Sequence, residues 1–203
     1  MLLAFDTSSA ACTAASFDGE GTCVARAYEV IGRGHAERLV PMIADLMGGR
    51  SADRILVGVG PGSFTGIRVA IAAAHGLAIG WNARLLGMNS LALIAAGAGS
   101  DEPVAASVLG GHGELFVQQF DGSTLLPTSD LFNAAPDDAA RRTSAKLVVG
   151  SGAERLVQAR GWGEFRELLP SAANASRLPE PMRTFAPKPV YARAPDARVP
   201  EAA

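Results

Sequence analysis

The sequence predicts an α/β protein built as two lobes of related topology. Three observations carry the prediction. The chain opens with three strand-like segments and then alternates helix and strand, which implies a mostly parallel central sheet with an antiparallel hairpin at one edge. A glycine-rich turn, "GPGSFTG", joins an apolar strand to a long apolar helix. Beyond residue 100 the pattern restarts in a shorter, degraded form. With 203 residues, 48% of them hydrophobic and 19% charged, the chain can bury a sizeable core.

Each element follows from local chemistry. "LLAFDTS" reads as a buried strand ending in turn residues at Asp6, Thr7 and Ser8. "CTAASF" and "TCVARAYEV" flank "DGEG", a hairpin signal. In "AERLVPMIADLMGG" the residues Leu39, Ile43, Leu46 and Met47 fall on one helical face, and Gly48-Gly49 ends the helix. Pro41 lies in its first two turns, where it costs least. "RILVGV" is a strand, "FTGIRVAIAAAHGLAIG" a helix, and "ARLLGMN" a short strand. "SLALIAAGAG" is a helix capped by Asn89 or Ser90.

In the second round "PVAASVLG" and "GELFVQQFDG" are strands meeting at "GGHG". "PDDAARR" is a short helix, "KLVVGSG" a strand and "AERLVQARG" a helix. The second lobe reads as too short to be complete. The chain closes with "KPVYAR" and the tail "APDARVPEAA", expected to fray.

Charge and cysteine usage narrow the function classes. A net charge of −2 disfavours a domain that grips nucleic acid by itself. Cys12 and Cys23 make no disulfide framework; they could face each other across a hairpin, but reduced core thiols are expected, inside strands that are poor places for an activated thiolate. "MLLAFDTSS" lacks the basic and apolar regions of a signal peptide. The most apolar helical stretch, 69–80, falls short of the roughly 18 residues that span a bilayer. A cytoplasmic protein without a membrane span is expected.

The glycine loop is the strongest chemical signal, and it is ambiguous. It lacks the Gly-Lys pair of a P-loop, and its glycines run G-x-G-x-x-x-G, one residue off the dinucleotide fingerprint. What remains is a helix N-terminus with the hydroxyls of Ser63 and Thr65 close by, which suits an anion. Equally, Ser63 can cap the helix while Pro61 and the glycines shape the turn. Asp6, beside Thr7 and Ser8 at a strand end, is the best catalytic-looking residue, for a carboxylate there can hold a metal-bound phosphate; it can also be a turn-forming residue. These five residues, Asp6, Thr7, Ser8, Ser63 and Thr65, are the candidate anion or nucleotide contacts.

Other chemistry finds no support. His35, His75 and His112 are isolated, so no metal site is predicted. No G-x-S-x-G elbow occurs, and no catalytic residue is assigned. The helix after the loop is more telling. From Ile67 to Ile79 its only polar side chains are Arg68 and His75. A helix apolar on all sides must be covered on all sides, by its own sheet and the preceding helix or by a partner.

Taken together, "LLAFDTSSAACTAAS", "GHAERLVPMI", "VGVGPGSFTGIRVAIAAAHGLA", "LLGMNSLALIA" and "PVYAR" resemble the bacterial TsaB (YeaZ) family. The match is close through residue 98 and weak between 100 and 185. The resemblance implies an actin-like ATPase fold of two lobes: 1–100 with partner-binding helices, and 101–203 as a reduced lobe with an irregular tail. It implies a non-catalytic dimerisation subunit of the machinery that makes N6-threonylcarbamoyladenosine in tRNAs reading ANN codons. Implied partners are the catalytic threonylcarbamoyltransferase subunit (TsaD), a small ATPase subunit (TsaE) and a second copy of the chain when alone. Contact with tRNA is implied only through the complex. No cofactor is expected, save ATP or ADP at the joint with the catalytic partner.

Carried onto this sequence, the interface comprises His35, Leu39, Met42, Ile43 and Leu46 on one helix, and Arg68, Ala72, His75 and Ile79 on the next. The chain departs from the family where relatives carry "DAR" before "xGEVY"; Leu109, Gly110 and Gly111 stand there instead. The segment before "PVYAR" is also short. The competing expectation is an active nucleotide-binding ATPase of the same fold, using Asp6 and the 60–66 loop.

Overall fold

The computed structural model describes residues 1–190. The first sheet contains β1 (Leu2–Asp6), β2 (Ala11–Phe17), β3 (Cys23–Val30), β4 (Arg54–Gly58) and β5 (Arg84–Met88), in the order β3-β2-β1-β4-β5. The first three strands are antiparallel, and β1, β4 and β5 run parallel. That mixed pattern follows from the connections: a short turn joins each antiparallel pair, and a helix immediately precedes each strand that adds in parallel, β4 and β5.

Helices α1 (His35–Met47) and α2 (Phe64–Trp81) cover one face of this sheet. The α1 stripe of Leu39, Met42, Ile43 and Met47 is buried against β1, β2 and β4. Each such aliphatic side chain is worth about 1.5–3 kcal/mol when fully removed from water. Gly48 ends α1 in the left-handed conformation and donates its N–H back to the Ala44 carbonyl. A bidentate pair, Arg38 Nε to Glu29 Oε2 at 2.7 Å and Arg38 Nη2 to Glu29 Oε1, fastens α1 to the outer strand β3.

Helix α2 matches the helix read from the sequence to within one residue, and it extends beyond the apolar stretch 69–80 at both ends. Its 18 residues reach the length and apolarity of a membrane span, the only such helix among the described residues. Within the fold, Ile67, Ala70, Ile71 and Ala74 lie in the core cluster shared with α1 and the sheet.

Helix α3 (Ser90–Gly97) is buried from Ser90 to Ala96 and packs between the two sheets. This explains its uniform apolarity. Asn89 is its cap, accepting a hydrogen bond from the Ala92 N–H at 3.0 Å. Ser90 has a different task, described below.

The second sheet contains β6 (Val104–Leu109), β7 (Leu115–Phe120), β8 (Phe132–Ala134), β9 (Leu147–Val149) and β10 (Glu164–Arg166), in the order β8-β7-β6-β9-β10. This reproduces the strand order of the first sheet. Helices α4 (Pro136–Arg142) and α5 (Ala153–Arg160) take the chain positions of α1 and α2. The second lobe is therefore reduced in length and not in strand number, contrary to the sequence reading. Strands β8, β9 and β10 have three residues each.

Residues 172–190, expected with the second lobe, return to the first sheet. The Ala172 N–H donates to Thr13 Oγ1 at 3.1 Å. Phe185 and Gly87 exchange two backbone hydrogen bonds, of 2.7 and 3.1 Å, along the edge of β5. The sequence elements "KPVYAR" beyond residue 190 and the tail lie outside the described residues.

Candidate functional site: the glycine loop and helix α2

The loop after β4 closes onto the turn after β1. Ser63 donates its N–H to the Ser8 carbonyl at 2.7 Å, and its hydroxyl caps α2 by accepting the Gly66 N–H at 3.2 Å. The Thr7 hydroxyl donates to the Gly66 carbonyl at 2.7 Å. Glycine is required at two points by close approach. A Cβ on Gly62 would overlap the Ser8 backbone oxygen, and one on Gly66 would overlap the Thr7 backbone oxygen. The Ser8 and Thr7 backbones stand where these two Cβ atoms would be.

Asp6 sits beneath this contact with no exposed surface. Its Oδ1 accepts from the Ser8 N–H and the Ser8 hydroxyl, both at 2.7 Å, and its Oδ2 accepts from the Ser90 hydroxyl at 2.6 Å. Ser90 Oγ also accepts the Gly60 N–H at 3.1 Å. Burial raises the Asp6 pKa above its ordinary value, outweighing the hydrogen bonds from Ser90 and Ser8 and the nearby His35 imidazole. A Cβ on Gly58 would collide with the carboxylate. Asp6 is thus an organiser of the loop, with its oxygens already committed.

The second lobe repeats the closure. At the start of α5 the Gly152 N–H donates to the Ser107 carbonyl at 3.0 Å, and a Cβ on Gly150 would overlap that same oxygen. Both glycine turns are packed against the first strand of their own sheet.

Of the five candidate anion contacts, the fold joins Asp6, Thr7, Ser8 and Ser63 in one hydrogen-bonded network; Asp6, Thr7 and Ser8 are buried, while Ser63 and Thr65 are exposed. Ser90 and Gly58 belong to the network and were not anticipated. The interface set divides by burial. Leu39, Met42 and Ile43 are 0%, 1% and 2% exposed, so as core residues they offer no surface to a partner. His35 is buried too, its Nε2 without a hydrogen-bond partner, and Leu46 is half-buried. The physical reason is the α1 stripe: the face that gives the helix its apolar period is the face it needs for its own sheet.

Arg68, Ala72, His75 and Ile79 are exposed along one side of α2. The Arg68 guanidinium lies 3.6 Å from the centre of the Phe64 ring. Phe64 is 55% and Ile79 84% exposed. Gly76 and Gly80 lie on the same side, and among the described residues nothing stands within 4 Å of where a Cβ on either would be. The described residues contain no group of three or more His, Cys, Asp or Glu side chains placed to hold a metal ion.

Comparison with known proteins gives three results. Residues 28–166 match the family model described as TsaD, tRNA N6-adenosine threonylcarbamoyltransferase. The tRNA threonylcarbamoyladenosine biosynthesis protein TsaB of Escherichia coli is 38% identical over 102 residues, 48% of this chain and 43% of that protein. The chain therefore matches less than half the length of this curated relative. Among solved structures, a Pseudomonas aeruginosa protein described as similar to the peptidase YeaZ is 30% identical, with a TM-score of 0.78 over 95% of this chain and 99% of its own. The activator of 2-hydroxyisocaproyl-CoA dehydratase from Clostridium difficile, solved with bound ADPNP, shares the fold at a TM-score of 0.50 and 8% identity, over 87% and 91% of the two chains.

Proposed function

The chain belongs to the TsaB/YeaZ family, and we propose that it serves N6-threonylcarbamoyladenosine formation in ANN-decoding tRNAs as a non-catalytic subunit. In this reading it binds the catalytic threonylcarbamoyltransferase subunit through α2 and supports its activity. The small ATPase subunit and the tRNA join through the assembled complex in the cytoplasm, and the free chain pairs with a second copy through the same face.

The exposed side of α2 carries the proposal. Glycine inside a helix costs about 1 kcal/mol relative to alanine. At Gly76 and Gly80 nothing among the described residues repays that cost, since a Cβ would meet open space there. A partner helix approaching closely would account for both glycines and for the exposure of Ile79. The closed loop favours the same reading over an ATPase at Asp6, because the Asp6 oxygens and the glycine backbones are occupied by Ser8, Ser90 and Thr7.

The test is co-sedimentation of the chain with the catalytic subunit, comparing the natural sequence with Ala72→Glu. Loss of the complex by a variant of unchanged thermal stability is the expected outcome. Undiminished binding would remove α2 from the interface.

A further inference from the structure

A cleft of about 470 Å³ lies at the opposite end of the first sheet from the glycine loop. It opens on the sheet face away from α1 and α2. Its floor is Leu2, Leu56 and Leu86, side chains of the core cluster between the two sheets. Arg54 and Arg84 are the first residues of β4 and β5 and are directly paired in the parallel register. Both lie two residues before a floor leucine and share its face, so the two arginines line the cleft from backbones one strand spacing apart, about 4.8 Å. Arg183 enters from the returning segment, held by the Phe185–Gly87 backbone pair.

None of these three arginines forms an ion pair or donates a side-chain hydrogen bond within the described residues. Like charges side by side repel, and an anion set between them converts the repulsion into charge-assisted hydrogen bonds. The acidic residues of the cleft complete the pattern. Asp18 is committed to its own turn, accepting the Glu20 and Thr22 N–H groups at 3.0 and 2.9 Å. Glu20 and Glu180 line the cleft and are exposed, without an ion-pair partner among the described residues. They can accept hydrogen bonds from hydroxyl groups.

An apolar floor, an arginine cluster and free carboxylates in a cleft of this size suit a ligand with a flat apolar part, hydroxyls and an oxyanion. We propose that this cleft binds a nucleoside monophosphate: the base lies on the leucines, the phosphate between Arg54, Arg84 and Arg183, and the ribose hydroxyls toward Glu180. The inference does not depend on the role of α2 or on any partner subunit.

The experiment is calorimetric titration of the whole chain with adenosine 5′-monophosphate, adenosine and inorganic phosphate. The monophosphate binds saturably, adenosine binds markedly more weakly, and phosphate competes with the monophosphate. Because two hydrogen-bonded charges are lost, Arg54→Gln/Arg84→Gln weakens binding by at least about tenfold. Arg183→Gln, in a separate segment, weakens it too, and unchanged melting temperatures show that the variants fold. The proposal is overturned if the monophosphate does not bind at millimolar concentration. Equal binding of adenosine, or binding untouched by both sets of substitutions, overturns it as well.

Discussion

Thr7 and Gly66, 59 residues apart in the chain, are locked together: the Thr7 hydroxyl donates to the Gly66 carbonyl at 2.7 Å, and the Thr7 backbone oxygen fills the place of a Gly66 Cβ. This contact fixes the start of α2 against the end of β1. Gly66→Ala forces two backbones apart, so it lowers folding stability by roughly 1–3 kcal/mol, within the usual range for core overpacking. Urea unfolding checks this; a loss below about 0.5 kcal/mol, typical of surface substitutions, contradicts the lock.

Gly76 behaves oppositely. Its Cβ position is open in the isolated chain, so Gly76→Ala raises the stability of the free chain by up to about 1 kcal/mol. Gly76→Leu also folds but blocks close helix approach, and weakens self-association and binding to the catalytic subunit. Thermal melting and sedimentation velocity read the two effects separately. A destabilised Gly76→Ala chain would show that the position is not open.

Asp6 sets a pH dependence. Burial raises its pKa above the ordinary value of 3.8, so folding favours its protonated form. That contribution is fully present below the unfolded value and is lost as pH rises through the higher folded value. Asp6→Asn does not titrate. The stability of the natural chain relative to Asp6→Asn therefore falls as pH rises through that window and then levels off. Unfolding curves for both proteins across acidic to neutral pH test the sign; a relative stability that grows with pH contradicts it.

The cysteines differ in reactivity. Cys12 is buried beside Met42, with its thiol pushed up to about 11 chiefly by burial, whereas Cys23 is exposed. Only Cys23 reacts rapidly with a thiol reagent in the native protein, and both react after denaturation. Strand register explains why they do not pair: Cys12 faces Glu29, and Cys23 faces Phe17. Rapid native labelling of Cys12, found by peptide mapping, would contradict the burial.

The first lobe was legible because its elements are long enough to show their periods: Leu39, Ile43 and Met47 mark α1, and Gly48 marks its end. The same stripe shows why Leu39, Met42 and Ile43 lie in the core. Residues spaced to reach the sheet cannot also face a partner. Strands β8 and β10 have three residues each and show too little alternation to be read. The Asp6–Ser90 hydrogen bond joins residues 84 apart and leaves no local signature. Arg54 and Arg84 look like scattered surface charges until the parallel register sets them side by side.

The central claim, a subunit that acts by supporting a catalytic partner, is tested most directly by one reconstitution. The catalytic subunit, the small ATPase, tRNA and the enzyme that forms the threonylcarbamoyl intermediate are combined with and without this chain, and threonylcarbamoyladenosine is quantified. Modification that requires the chain is the predicted result. Equal modification without it would contradict the account.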